Sequence, residues 1–174
     1  MPRELTPLEQ LQLMIPGYRG YKVKDLIWQD DMLVRRYMID RLENANSNFS
    51  KIMSEIARRN PFDERLRVLD DLTSRIRELV SDLNSAQSGG VDVYARWKIH
   101  AEQLEQIYDY DLKLVGLASQ VEKASIERNL DAANQALMEL RRLWQDRAKL
   151  FYPPELAQYL NSSQVSRFTE NSSE

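Results

Sequence analysis

Two stretches of this chain carry side chains whose types and spacing could do chemistry. The first is Gly17-Tyr18-Arg19-Gly20-Tyr21-Lys22-Val23-Lys24. Its glycines allow a tight turn or a close backbone approach. Tyrosines interleaved with cations could grip an anion, an acidic tail or lipid headgroups by stacking and charge. Tyr18, Arg19, Tyr21, Lys22 and Lys24, with Trp28 just beyond, are therefore the candidate partner-binding residues. The competing reading is a structural turn whose tyrosines fill the end of a helical bundle. The spacing is neither that of a P-loop nor that of a dinucleotide fingerprint.

The second stretch is acidic: Glu102, Glu105, Asp109 and Asp111, interleaved with Tyr108 and Tyr110. Glu105 and Asp109 stand one helical turn apart and could meet a cation or an arginine. A glycosidase-like pair would also need a sugar cleft, which nothing in the sequence suggests. The expectation is a charged face, solvated or between helices. Some of its charge would answer Arg19, Arg35 or Arg36 and stitch the glycine–tyrosine motif to this helix.

Further chemistry is limited by residue supply. His100 is the single histidine, whereas a di-iron bundle needs a Glu-x-x-His pair on each of two helices. It lies inside a helical run with no nucleophile elbow nearby. With no cysteine, thiolate zinc sites, iron–sulfur clusters and disulfides are excluded. No catalytic, cofactor-binding or metal residue is assigned, no small-molecule substrate is evident, and the expectation is a protein that is not an enzyme.

The elements that would hold these residues are helices. Met38, Leu42, Ala45, Phe49, Ile52 and Ile56 form an apolar ladder with alternating steps of four and three, the seam of a helix packed on other helices. Thr6-Pro7-Leu8-Glu9 reads as a capping box with proline at the first helical position, opening a short helix that Pro16-Gly17 stops. A long helix is predicted from about Lys22 to Arg59, ended by Asn60-Pro61. Asn60 would cap a second, whose face runs Phe62, Leu66, Leu69, Leu72, Ile76, Leu79 and Leu83. After the loop at 85–90, a third begins near Val93 with face Ala101, Leu104, Tyr108, Leu112, Val115, Ala118 and Val121. A fourth reads Ile126, Leu130, Ala133, Leu137, Leu140, Trp144 and Ala148. Between the last two no glycine or proline intervenes, and a turn near Ser125 is favoured over one continuous helix because two antiparallel pairs bury all four seams. Acid-before-base pairs four apart (Asp31 with Arg35, Glu55 with Arg59, Asp63 with Arg67, Asp71 with Arg75) are expected on exposed faces.

The predicted fold is an all-α, elongated antiparallel bundle of about four long helices plus a short amino-terminal one, with coiled-coil-like packing. Residues 1–21 form the short helix and motif, 22–160 the bundle, and 161–174 a flexible, polar, Ser/Asn-rich tail. Lys and Arg number 24 against 27 acids, and a net charge of -3 argues against nucleic-acid binding. No run approaches the roughly twenty apolar residues of a membrane span, so a cytoplasmic location is expected.

The run Ile15-Pro16-Gly17-Tyr18-Arg19-Gly20-Tyr21, with Gln106-Ile107-Tyr108-Asp109-Tyr110-Asp111 further on, resembles an uncharacterised group of prokaryotic helical proteins with an I-P-G-Y-x-G-Y start. The resemblance implies a helical fold and no activity. The helix after the motif departs from that pattern, with Ile27, Trp28, Asp30 and Asp31 where mixed charges are usual. The functional expectation is a non-enzymatic scaffold or adaptor for protein partners, including itself as a homodimer. The alternative is a peripheral membrane protein that lays residues 7–24 on anionic lipid, which requires Leu8, Leu11, Met14 and Ile15 to be exposed.

Overall fold

The computed structural model describes residues 2–22, 27–85, 101–147 and 150, without the side chains of 27, 28 and 101. Five helices make up this part: α1 (Pro7–Met14), α2 (Ile27–Arg59), α3 (Arg65–Ser85), α4 (Ala101–Ile126) and α5 (Leu130–Arg147). The fold is an all-α bundle, as the seams predict. No helix among the described residues is long and apolar enough to cross a membrane. His100, Lys24 and the tail lie outside the described residues.

Helix α1 starts as its capping box dictates. Thr6 Oγ1 accepts the Glu9 N–H, while Glu9 accepts the Thr6 N–H. The α2 ladder is fully buried from Met38 to Phe49. At 33 residues α2 is about 50 Å long, at about 1.5 Å per residue. It ends before Pro61, but α3 begins only at Arg65. The Asn60 and Asp63 side chains accept the N–H groups two residues on, from Phe62 and Arg65, and wind residues 60–64 into turns instead of a first helical turn. Phe62 therefore leaves the predicted core face and stands 91% exposed.

The chain does turn after Ser125, by a different device. Arg128 adopts left-handed φ (57°), and the Asn129 N–H reaches back to the Ala124 carbonyl, a Schellman-type ending without glycine. Asn129 then caps α5 through its side chain, which accepts from Ala132. Ser125 is buried inside α4 and is not the cap; Ile126 ends α4 exposed instead of joining the α5 seam.

Helices α2 and α3 form one antiparallel hairpin, α4 and α5 the other. Between hairpins, Tyr37 meets Ser119, Arg41 meets Glu122 and Asn48 meets Ser125. These rungs climb both helices together, so α2 and α4 are parallel neighbours. Arg75 with Asn134 and Glu78 with Arg141 run α3 parallel to α5 in the same way. Both hairpin turns thus lie at one end of the bundle. The start of α2, the end of α5 and the α1 segment lie at the other.

Candidate functional site

The amino-terminal end of α2 is where charge and aromatic side chains gather. Asp31, Arg35, Asp111 and Arg147 each occupy a position where the periodicity of their helix points inward, and all are at most 5% exposed. Arg147 donates through Nε to Asp111 at 2.7 Å and through Nη1 to Asp31 at 2.6 Å. Arg35 donates to the other Asp31 oxygen at 2.7 Å and to the Leu83 carbonyl, which anchors the end of α3. The Trp144 ring lies beneath both guanidiniums, 4.5 Å from Arg35 and 5.2 Å from Arg147. Burial opposes the charged form of Asp31, but Arg147 and Arg35 outweigh it and hold its carboxyl below the ordinary range.

The glycine–tyrosine motif plugs into this cluster. The Tyr18 and Tyr21 hydroxyls donate to one oxygen of Asp111, at 3.0 and 2.6 Å, and their rings pack edge to face. Arg147 in turn donates to the Tyr21 hydroxyl. Asp30 accepts the backbone N–H groups of Arg19 and Tyr21, while the Tyr108 hydroxyl donates to the Gly20 carbonyl. Burial pushes the Asp30 carboxyl up despite those two donors, and pushes all three phenols up, Tyr108 to about 12. Gly20 is required twice over: its φ is +69°, and a Cβ there would sit 2.7 Å from Leu8 and 2.9 Å from the Tyr108 hydroxyl.

The candidate partner-binding residues are therefore divided. Tyr18 and Tyr21 are 3% exposed and face inward, so as folded they are not surface docking groups. Arg19 and Lys22 are exposed. Lys24 and the Trp28 side chain fall outside the described residues. The stitch between motif and α4 exists, but tyrosines make it, and the arginine that answers Asp111 is Arg147 rather than Arg19, Arg35 or Arg36. Asp31–Arg35, expected on a surface, is buried. Asp63 pairs with Arg65 and Glu55 with Arg128; Asp71–Arg75 forms as expected.

Arg147 was not singled out by sequence reasoning. Its signal is a charge in register with Leu140 and Leu143 on an apolar seam, matched by Asp111 in register with Tyr108 and Val115 on another. Of the four residues that a lipid-facing segment would expose, Leu11 (0%) and Ile15 (3%) are buried against the bundle, Leu8 is partly buried and Met14 is 36% exposed.

The opposite end offers a surface. A cleft of about 180 Å³ lies between the hairpin turns, lined by Ile52, Ile56 and Leu130 and by the charged Glu55, Arg59, Asp63, Arg65 and Arg128. Phe62, 91% exposed, stands on one turn, and Ile126, 67% exposed, ends α4 just before the other. Arg65, hydrogen-bonded to Asp63, holds that carboxyl down to about 2 and steadies the turn that carries Phe62. No protein-family model, curated protein or solved structure matches this chain.

Proposed function

We propose that the protein is a non-enzymatic helical scaffold or adaptor that binds protein partners, self-association included, through its hairpin-turn end. The reading rests on one observation: a nearly fully exposed phenylalanine, Phe62, held on a turn stapled by Asn60 and Asp63, the latter lining a cleft together with Ile52, Ile56 and Leu130. Large aromatic side chains presented this way are the usual anchors of protein interfaces. The buried polar cluster supports the same reading, because its carboxylates, guanidiniums and phenols are spent on one another and on the backbone. Its hydrogen bonds tie the segment after α1 to α2, α3, α4 and α5.

A photo-crosslinking phenylalanine analogue at position 62 tests this, with the same analogue at exposed Met138 as the control. Cross-links to a second copy or to a defined protein from position 62 alone support the reading. A strict monomer by light scattering, with no position-specific cross-link in cells, overturns it.

A further inference from the structure

Phe62 and the turn-end cleft are neighbours, yet the ring does not enter it: Phe62 is 91% exposed, while the adjacent Asp63 lines the cleft. Ile52, Ile56 and Leu130 give the cleft its apolar side chains, and its volume is about 180 Å³. An apolar cavity of roughly 150 Å³ takes a benzene ring, so the space is large enough for a phenyl group. Charge repeats the arrangement. Of the five charged residues lining the cleft, Asp63 binds Arg65 at 2.7 Å and Glu55 binds Arg128 at 2.9 Å. The fifth, Arg59, is exposed and makes no ion pair with any described residue. Glu64, two residues beyond Phe62, is likewise exposed and has no such partner. The protruding turn thus carries an unpaired acid, and the cleft an unpaired base.

The geometry points to a second copy of this chain as the occupant. Two molecules meet turn end to turn end about a two-fold axis, Phe62 of each enters the other's cleft, and its Glu64 meets the other's Arg59. A surface that carries both the ring and its receptor, and both the acid and the base, is complementary to itself. Because knob and cleft are adjacent, one two-fold rotation satisfies both at once and closes the assembly at a dimer; a knob remote from its receptor would propagate an open chain instead. This names the partner within the adaptor reading and rests on it.

The test is the dimer dissociation constant of the full chain, read by light scattering over a wide concentration range. Phe62→Ser, at a site too exposed to threaten the fold, should weaken the dimer at least about tenfold. Arg59→Glu and Glu64→Arg should each weaken it by about the same factor through like-charge contact, and the double variant R59E/E64R should recover most of the loss. Arg77→Glu, exposed on the flank of α3, should leave it unchanged. In an equal mixture of ¹⁴N and ¹⁵N chains, a photo-crosslinking analogue at position 62 should join light copies to heavy ones within residues 52–59 or at 130. A dimer that F62S leaves intact, a charge swap that restores nothing, or a mass that keeps rising past two copies overturns the reciprocal fit. A strict monomer whose position 62 cross-links a different protein also overturns it but leaves the adaptor reading standing. A strict monomer with no cross-link overturns both.

Discussion

The two ends of this bundle are built from the same residue types used in opposite ways. At the α1 end, two carboxylates and two guanidiniums, each at most 5% exposed, are bound to one another, to phenols and to backbone. At the turn end, Asp63–Arg65 and Glu55–Arg128 are ion pairs with substantial solvent access, while Phe62 and Ile126 point outward. Burying a charge is costly, and removing one partner of a buried pair leaves the other stranded; an exposed pair is worth little because water serves either partner. One end is therefore committed to holding the fold. The other is free to change without unfolding it.

The largest effect expected from breaking that contrast is at Arg147. Arg147→Leu leaves Asp111 in the core with only phenol donors and Asp31 with Arg35 alone, and should cost about 3–5 kcal/mol in urea unfolding. A loss under about 1 kcal/mol would mean the buried end is not the structural lock. Gly20→Ala comes next, at about 1–3 kcal/mol, because strained backbone and a direct clash with Leu8 and Tyr108 combine.

Acid should separate the ends further. Asp31, Glu9 and Asp63 have depressed folded pKa values, about 2 for the latter two. The cause is Arg3 for Glu9, Arg65 for Asp63, and Arg147 with Arg35 overcoming burial for Asp31. Their stabilisation is fully present above the unfolded carboxylate pKa of about 4 and is lost as pH falls through the folded values. Asp30 has the opposite sign: its raised pKa gives a contribution present below about 4 and lost as pH rises through the folded value. Urea unfolding measured from neutrality downward should thus show stability rising slightly as Asp30 takes up its proton, then declining below about pH 4 as the depressed carboxylates are protonated. Asp63→Asn should flatten that decline slightly, with little change at neutral pH. Asp31→Asn should lower stability at neutrality itself.

Gly116 sharpens the comparison from the other side. Nothing lies within 4 Å of a Cβ added there, in the interior of α4, so Gly116→Ala should stabilise the protein by about 0.5–1 kcal/mol. The two glycines then give opposite signs, one required by its surroundings and the other merely tolerated. The smallest effect on stability is expected at Phe62. Phe62→Ser should change unfolding by less than about 0.5 kcal/mol while removing any association read by light scattering.

Short-range patterns were legible wherever the physics is local. The α2 ladder, the Thr6–Glu9 capping box, the stop at Asn60-Pro61 and the buried faces of α3 and α5 follow from side-chain periodicity and from which groups can satisfy free helix ends. Phe62 misled because side-chain caps two residues long compete with a proline-started helix, and both fit the letters Asn-Pro-Phe-Asp. The turn at Arg128 carried no glycine; an arginine takes the left-handed position there, and the Asn129 N–H closes the turn on the Ala124 carbonyl.

By itself, then, the sequence determined an all-α chain of paired long helices and the kinds of residue on each seam. Tertiary structure alone decided that Asp111 lies in the core and that its partners are Arg147, 36 residues away, and Tyr18, 93 residues away. An acid beside tyrosines on a helix is equally compatible with a wet face. Only when the ends of α2, α4 and α5 meet is there an arginine on the facing seam to make burial tolerable. That meeting depends on how two hairpins align, which no local spacing specifies.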